Sequence, residues 1–237
     1  MKRIFALALI AASLMLFNRV IFASDVITKN YDFKDFSVVE VSSGMILNVT
    51  QSDSYSVEVK INSSDLKYFR AEKKGNKLEF YLKNNFFSFF GHRHGRIEIN
   101  IKMPALTGVG LSGGASGNIT MDIPSKSFSS ELSGGARLQG SLNCGNIKLD
   151  MSGGSRANLS GKGNDLKISG SGGCSFELKD FTVNNVDTGF SGGTHATVTM
   201  NGILNAEQSG GSRLTYYGKA MLGKTDFSGG SGISKGN

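Results

Sequence analysis

The sequence predicts an all-β protein, a right-handed parallel β-helix whose coils are each about 19 residues long. Three observations favour this fold class. Glycine makes up 32 of the 237 residues and proline only 2, which excludes collagen and suits short strands joined by glycine turns. A Ser-Gly-Gly motif recurs at a regular spacing, and apolar and polar residues alternate on both sides of it.

The Ser-Gly-Gly motif sets the repeat. Successive motif serines are separated by 21, 19, 19, 20, 18 and 19 residues, and a constant period near 20 is typical of a solenoid. The motif serines are Ser112, Ser133, Ser152, Ser171, Ser191, Ser209 and Ser228. We expect the two glycines at a corner between strands, where a positive φ or a close backbone contact excludes a Cβ. We also expect the serines to form a hydrogen-bonded ladder along the stack.

Alternation around the motif predicts two short strands in each coil, with one face of each strand directed inward. Apolar residues recur five, three and one positions before the serine and five and seven positions after it, and small residues recur three positions after it. The position before the serine holds Leu111, Leu132, Met151, Phe190 and Phe227. No helical pattern of ten or more residues intervenes, so equivalent strands should stack in parallel, with the right-handed coiling that strand twist favours.

The chain divides into three predicted parts. Residues 1–23 resemble a secretory signal peptide, because Lys2 and Arg3 precede an apolar run that ends before a small-residue cleavage site at Ala23. Residues 24–106 form an N-terminal β-strand region, and residues 107–237 form the Ser-Gly-Gly β-helix. Without residues 1–23 the net charge falls from +7 to +4, so charge does not favour a nucleic-acid partner. No stretch of the mature chain has the length and apolarity of a membrane span.

The N-terminal region lacks Ser-Gly-Gly but keeps the alternation. Five segments are predicted as strands: residues 36–41, 45–49, 56–61, 77–82 and 96–101. They either begin the same stack with longer, irregular coils or fold over its end. Some cap is needed, because an open solenoid end exposes unpaired strand edges.

The two cysteines, Cys144 and Cys174, lie at different phases of the repeat. Residues at different points of the coil and on different coils should not approach to the distance of about 6 Å between Cα atoms that a disulfide requires. We therefore predict two buried, unpaired cysteines.

The strand segments, the stretch MPALTGVGLSGGAS (residues 103–116) and the Ser-Gly-Gly coils together resemble the head GIN domain family, whose members are described as auto-transporter adhesins of the bacterial envelope. The resemblance covers residues 36–235. It implies an exported β-helical protein, in the periplasm, at the outer membrane or on the cell surface, and it brings no catalytic residues with it.

One candidate binding surface is the column four residues after each serine. Its charged members are Arg137, Arg156, His195 and Arg213, and they should face outward, with Arg137 beside Arg156. Such a cationic strip suits an anionic glycan or lipopolysaccharide. Two residues before the serine, Glu131, Asp150, Glu207 and Asp226 form an acidic column. The alternative is that both columns only keep a rod-like protein solvated.

A second candidate is the aromatic stretch that contains Phe86, Phe87, Phe89 and Phe90, followed by a basic turn. The phenylalanines could contact a membrane surface, a sugar or a protein partner, or they could fold down to cap the solenoid. His92 and His94 in the turn offer only two adjacent metal ligands, so we predict no metal site and no cofactor.

The sequence therefore favours a non-enzymatic, exported envelope protein that acts as an adhesin or binding scaffold toward an envelope glycan or a protein partner. One alternative is a glycan-active enzyme of the polysaccharide lyase or hydrolase type, which needs clustered carboxylates in a groove. Uniform short coils leave no long loops to form such a groove, and we assign no catalytic residue. A further alternative is a periplasmic sensing component that acts through a protein partner.

Overall fold

The structure, a computed structural model, describes residues 25–83, 95–123 and 126–237. In this part of the chain, 21 β-strands and one short 3₁₀ helix (Ser63–Asp65) form two large sheets. The predicted all-β parallel solenoid is confirmed. The predicted signal peptide lies outside the described residues. Among the described residues, no helix is long and apolar enough to cross a membrane.

The strands fall into an N-terminal set and a repeat set. The N-terminal strands are β1 (Val26–Tyr31), β2 (Val38–Val41), β3 (Ile46–Gln51), β4 (Ser56–Asn62), β5 (Phe69–Lys74), β6 (Lys77–Leu82) and β7 (Glu98–Met103). The repeat strands are β8 (Gly108–Leu111), β9 (Ser116–Ile123), β10 (Phe128–Leu132), β11 (Arg137–Cys144), β12 (Ile147–Gly153), β13 (Arg156–Lys162), β14 (Leu166–Gly172), β15 (Ser175–Val183), β16 (Val186–Gly192), β17 (His195–Met200), β18 (Ile203–Gln208), β19 (Arg213–Gly218), β20 (Met221–Phe227) and β21 (Gly232–Lys235).

The two sheets face each other across the core. Sheet A contains the strand that follows each Ser-Gly-Gly and has the order β1-β4-β7-β3-β9-β11-β13-β15-β17-β19-β21. Sheet B contains the strand that precedes each motif and has the order β20-β18-β16-β14-β12-β10-β8-β2-β6-β5. Equivalent strands of successive coils pair in parallel, so residues at the same phase of the repeat lie side by side. Each motif joins the two sheets at a corner.

The corner explains the glycines. The first glycine of all seven motifs has a positive φ, between 58° and 84°, which an L-residue with a Cβ rarely adopts. The corner glycines also stack on one another, so that a Cβ at Gly210 would lie 2.8 Å from the carbonyl oxygen of Gly192. Positive φ and close backbone contact, the two reasons predicted from the sequence, therefore both apply to the first glycine of the motif.

A hydroxyl inside the corner completes its hydrogen bonding. Three residues after the motif serine, Ser155 Oγ donates to the Ser152 carbonyl at 2.8 Å, and Thr194 Oγ1 donates to the Ser191 carbonyl at 3.1 Å. The motif serines stack in register, as Ser152, Ser171 and Ser191 do, but in the described structure none of their hydroxyls bonds to the hydroxyl of the next coil. Ser209 Oγ instead donates to the Phe190 carbonyl of the preceding coil at 3.5 Å.

The inward columns are buried, as the alternation predicts. Leu111, Leu132 and Met151 are at most 4% exposed and belong to one continuous core. Phe227, at the same phase, is the exception at 40% exposed. Its strand β20 is the outermost strand of sheet B, so no further coil packs over it.

The N-terminal strands both extend the stack and close it. β2 pairs in parallel with β8 and β6, and β3 pairs in parallel with β9 and β7. The coil formed by β2 and β3 therefore lies between the β6/β7 coil and the β8/β9 coil in the stack, although it comes first in the chain. Beyond these, β5 pairs antiparallel with β6, and β4 and β1 add antiparallel strands to sheet A. The five predicted strand segments correspond to β2, β3, β4, β6 and β7, whereas β1 and β5 were not predicted.

The cysteines behave as predicted. Cys144 and Cys174 are buried and unpaired. Burial raises the pKa of the Cys144 thiol to about 11, so its reactive thiolate is scarce at neutral pH.

Candidate functional site

The outward column of sheet A contains the predicted cationic residues. Arg137 lies directly opposite Arg156 on the adjacent strand, and His195 lies opposite Arg213. Ser175 separates the two pairs, because it is the register partner of both Arg156 and His195. We refer to Arg137, Arg156, His195 and Arg213 as the arginine strip; all four side chains are exposed.

Buried neighbours fix the direction of the arginine strip. Ala136 and Leu138 flank Arg137 in sequence and are 0% and 1% exposed. Alternation along the strand therefore directs Arg137 away from the core. The same argument holds for Arg156, which lies between the buried residues Ser155 and Ala157.

The guanidinium groups of the strip have no carboxylate partner in the described part of the chain, since none of its ion pairs involves Arg137, Arg156 or Arg213. In the next outward column, Gln139 and Asn158 are uncharged register partners, and the following member, Glu177, is a carboxylate whose oxygens accept from Ser175 Oγ and Thr197 Oγ1. These arginines are therefore available to an external anion.

Side-chain amides form a ladder beside the strip. Asn118 Nδ2 donates to Asn48 Oδ1 at 2.7 Å, and Gln139 Nε2 donates to Asn118 Oδ1 at 2.6 Å. The ladder continues to Asn100, whose Oδ1 accepts from Asn48 Nδ2 at 2.8 Å. It holds this face of sheet A in one arrangement and presents amide donors and acceptors next to Arg137.

His195 is held in a defined orientation. Its Nδ1 lies 2.9 Å from the Gly193 carbonyl oxygen, and because a carbonyl only accepts, Nδ1 carries the proton. The other ring nitrogen, Nε2, is left for an external group.

The acidic column lies on sheet B and is balanced there. Glu131 pairs in register with Asp150, and Glu207 with Asp226. Lysines of the same sheet neutralise several members: Lys148 Nζ lies 2.6 Å from Asp150 and Lys224 Nζ lies 2.9 Å from Glu207. These contacts raise the pKa of Lys148 and lower that of Glu207. Asp150 and Glu207 are thus paired with lysines rather than with the arginines beyond the corner, whereas no ion pair of the described residues involves Glu131 or Asp226.

The acidic column also continues into the N-terminal coils, which the Ser-Gly-Gly spacing did not predict. Across neighbouring strands of sheet B, the column runs from Glu131 to Gly110, then to Glu40 and finally to Glu79. A signal for this existed in the sequence. Glu40 stands two residues before Ser42-Ser43-Gly44, a degenerate corner in which Ser43 and Gly44 have φ values of 61° and 70°.

Two shallow depressions accompany the acidic column. One, of about 340 Å³, includes Glu40, Glu79 and Glu131 around Gly110. The other, of about 450 Å³, extends past Asp150 toward Gly189. Both form where a glycine replaces a side chain in the outward column. In the described residues, no group of three or more histidine, cysteine, aspartate or glutamate side chains is arranged to hold a metal ion.

The structure does not place the second predicted surface. Phe86, Phe87, Phe89 and Phe90, together with His92 and His94, lie outside the described residues. The candidate site that the structure assembles is therefore the arginine strip.

Comparisons with known proteins agree with this architecture. The structure is similar to a "putative adhesin" of Bacteroides fragilis, with a TM-score of 0.80, 17% identity, and coverage of 90% of this chain and 98% of the other. A "putative lipid binding protein" of Parabacteroides distasonis has a TM-score of 0.70 and 16% identity, with coverage of 91% and 98%. A "putative adhesin" of Parabacteroides merdae has a TM-score of 0.69 and 16% identity, with the same coverage.

At these identities the similarity shows a shared fold. A comparison with curated proteins finds no match. Residues 35–220 match the family described as "Putative auto-transporter adhesin, head GIN domain". The match covers most of the chain and agrees with the Ser-Gly-Gly solenoid observed in the structure, so the chain belongs to the head GIN domain family.

Proposed function

We propose that this protein is a non-enzymatic, exported envelope protein that binds an anionic glycan through the arginine strip. The observation that carries the proposal is the position of Arg137 and Arg156. They are exposed, they occupy neighbouring strands in register, and within the described structure they lack a carboxylate partner.

The chemistry of the strip fits a repeating anion. A guanidinium group can hold a sulfate, phosphate or carboxylate through two parallel N–H···O bonds. Two such groups on adjacent strands, about 4.8 Å apart, can hold one anionic group jointly or two consecutive ones. The amides of Gln139 and Asn158 lie alongside and can bond to sugar hydroxyls, and the flat outer face of a sheet suits an extended chain.

Several observations support a binding rather than a catalytic role. The description of the family names an adhesin, and two similar structures are also described as adhesins. On sheet B, the carboxylates of Glu40, Asp150 and Glu207 are paired with lysines, as in the contact of 2.5 Å between Lys77 and Glu40. The family description and the apolar N-terminal segment support export.

Lipid phosphate offers the same recognition chemistry, and one similar structure is described as lipid binding. The glycan is favoured here because the strip lies on a polar sheet face, where none of the described residues beside the arginines is an exposed large apolar side chain. A lipid surface would be expected to require such a side chain for insertion.

The test is binding to an array of sulfated, phosphorylated, uronic-acid and neutral glycans, with anionic phospholipid vesicles as a separate arm. The variant Arg137→Glu/Arg156→Glu reverses the charge of the Arg137/Arg156 pair of the strip. Its matched control is Lys148→Glu/Lys167→Glu, which makes the same charge change on two register partners of the opposite sheet. Two exposed charge contacts of about 1 kcal/mol each correspond to roughly thirtyfold weaker binding for the strip variant.

Selective binding of anionic glycans that the strip variant loses and the control variant keeps would support the proposal. Equal losses in the two variants would mean that only the net charge matters, and the assigned site would be wrong. Binding to vesicles but to no glycan would replace the glycan with a lipid headgroup as the ligand.

A further inference from the structure

One end of the stack leaves apolar residues uncovered. The outermost strands there are β20 in sheet B and β21 in sheet A. Every residue of β20 is exposed, and Met221, Leu222 and Phe227 are exposed by 68%, 57% and 40%. In the preceding coil, Leu204 is the register partner of Leu222 and is 0% exposed. The sequence of β20 thus resembles that of a strand within the stack, although β20 lies at the edge of its sheet.

The backbone of β20 also presents hydrogen-bonding groups at this end. The Ser228 N–H donates to the Gln208 carbonyl at 3.0 Å, so it points toward β18. Because N–H groups alternate in direction along a strand, those of Phe227 and Thr225 point toward the free edge. An edge with exposed apolar side chains and free donors is a template for another strand.

The opposite end is different. β5 is the outermost strand of sheet B there, and four of its six residues, Arg70, Glu72, Lys73 and Lys74, are charged. In both sheets the outermost strand at this end pairs antiparallel with its neighbour. Charged edge strands discourage pairing, so association of β20 with the opposite end of another molecule is disfavoured.

We propose that a second copy of this chain docks on the β20/β21 end, related to the first by a twofold axis normal to both sheets. Rotation about such an axis reverses both the strand direction and the stacking direction. β20 then pairs antiparallel with β20 of the second copy, and β21 pairs antiparallel with its own counterpart. Both free edges are covered at once, which an isologous interface permits.

The charges of β20 favour one register. When the twofold axis passes through Thr225, Lys224 lies opposite Asp226 of the second copy, and the reciprocal pair forms by symmetry. Residues directly opposite in an antiparallel pair share a face, and Lys224 and Asp226 are both exposed. Lys224 Nζ lies 2.9 Å from Glu207 of its own chain, so Asp226 of the second copy would join an existing ion pair. β20 is therefore complementary in charge to a second copy of itself.

The arrangement has a consequence for binding. The axis is normal to the sheets, so the two 11-stranded A sheets join into one, and both arginine strips lie on the same face. A dimer would present two strips to one extended ligand, which raises its effective affinity. Because the opposite end of sheet B has the charged edge strand β5, we expect association to stop at the dimer.

The test is sedimentation velocity of the purified protein over a range of micromolar concentrations. We expect a concentration-dependent dimer. Asp226→Lys turns two attractive contacts into repulsive ones and should weaken the dimer about tenfold, whereas Lys224→Asp/Asp226→Lys restores opposite charges and should restore it. Val26→Glu, at an exposed apolar residue of the opposite end, is the control and should leave the dimer unchanged.

A protein that stays monomeric throughout this range overturns the proposal, as does a dimer insensitive to Asp226→Lys. A dimer that Val26→Glu disrupts would show head-to-tail contact instead. Larger polymers would contradict the closed twofold arrangement. Circular dichroism on every variant confirms that the fold is intact, and none of these readouts depends on glycan binding.

Discussion

The corner glycines make a quantitative prediction about stability. Gly192 and Gly193 are adjacent and belong to the same corner, but the structure places them in different situations. Gly192 has a φ of 73°, and a Cβ there would lie 3.1 Å from both the amide nitrogen and the carbonyl oxygen of Gly172. A Cβ on Gly193 would meet only the Gly172 carbonyl oxygen, at 3.9 Å, and its φ is not in the positive range. Alanine should therefore be unfavourable at the first position and tolerated at the second.

The expected change in the free energy of unfolding is the sum of three contributions. Forcing alanine into a left-handed conformation costs about 1–2 kcal/mol, and the close approach to a neighbouring backbone costs about 1 kcal/mol more. Both substitutions reduce the entropy of the unfolded chain, which stabilises each by roughly 0.4–1 kcal/mol. Gly192→Ala should thus lower the free energy of unfolding by about 2 kcal/mol, and Gly193→Ala should leave it unchanged or raise it slightly.

Urea unfolding followed by circular dichroism measures this difference. Gly192→Ala should lower the midpoint without changing the slope, because the surface exposed on unfolding is the same. Gly193→Ala is the matched control, since it adds the same methyl group one residue away. If the two variants unfold at the same urea concentration, positive φ and backbone crowding are not the reason for the glycine, and the corner explanation fails.

The remaining predictions concern the core and the two surfaces. Gln208 is 4% exposed, and the described residues offer its side-chain amide no hydrogen bond, so Gln208→Met should raise the free energy of unfolding by about 1 kcal/mol; a lower urea midpoint would contradict this. Cys144 and Cys174 should resist a thiol reagent at neutral pH in the folded protein and both react in denaturant, and rapid labelling of native protein would contradict their burial. Glycan binding through the arginine strip should weaken steeply as salt is raised, whereas salt-independent affinity would indicate recognition without charge. The dimer should survive the strip variant Arg137→Glu/Arg156→Glu, because the strip lies away from β20.

The repeat is the part of the fold that the sequence determined. Each corner needs the same positive-φ glycine, and each flanking strand needs alternate apolar residues, so the same local requirements appear seven times and reinforce one another. Phase within the repeat then predicts which residues are neighbours. For this reason the adjacency of Arg137 and Arg156 was predictable, although they lie 19 residues apart.

Contacts that do not follow the repeat were decided by the tertiary structure. The β2/β3 coil lies between the β6/β7 and β8/β9 coils, an order that sequence proximity does not suggest. β1 is an edge strand whose residues are mostly exposed, so it has no strong alternation to detect. The ion pairs of Glu207 with Lys224 and of Glu40 with Lys77 depend on the register of neighbouring coils.

The glycine-rich composition thus determined a stack of stiff corners, because only glycine satisfies the backbone geometry at the first position of each motif. The tertiary structure alone decided which strands lie at the ends of that stack. The antiparallel strands β1 and β5 lie at the N-terminal end, and β20 has apolar residues like those of an inner strand at an exposed edge, because burial there depends on what packs against the strand rather than on its sequence.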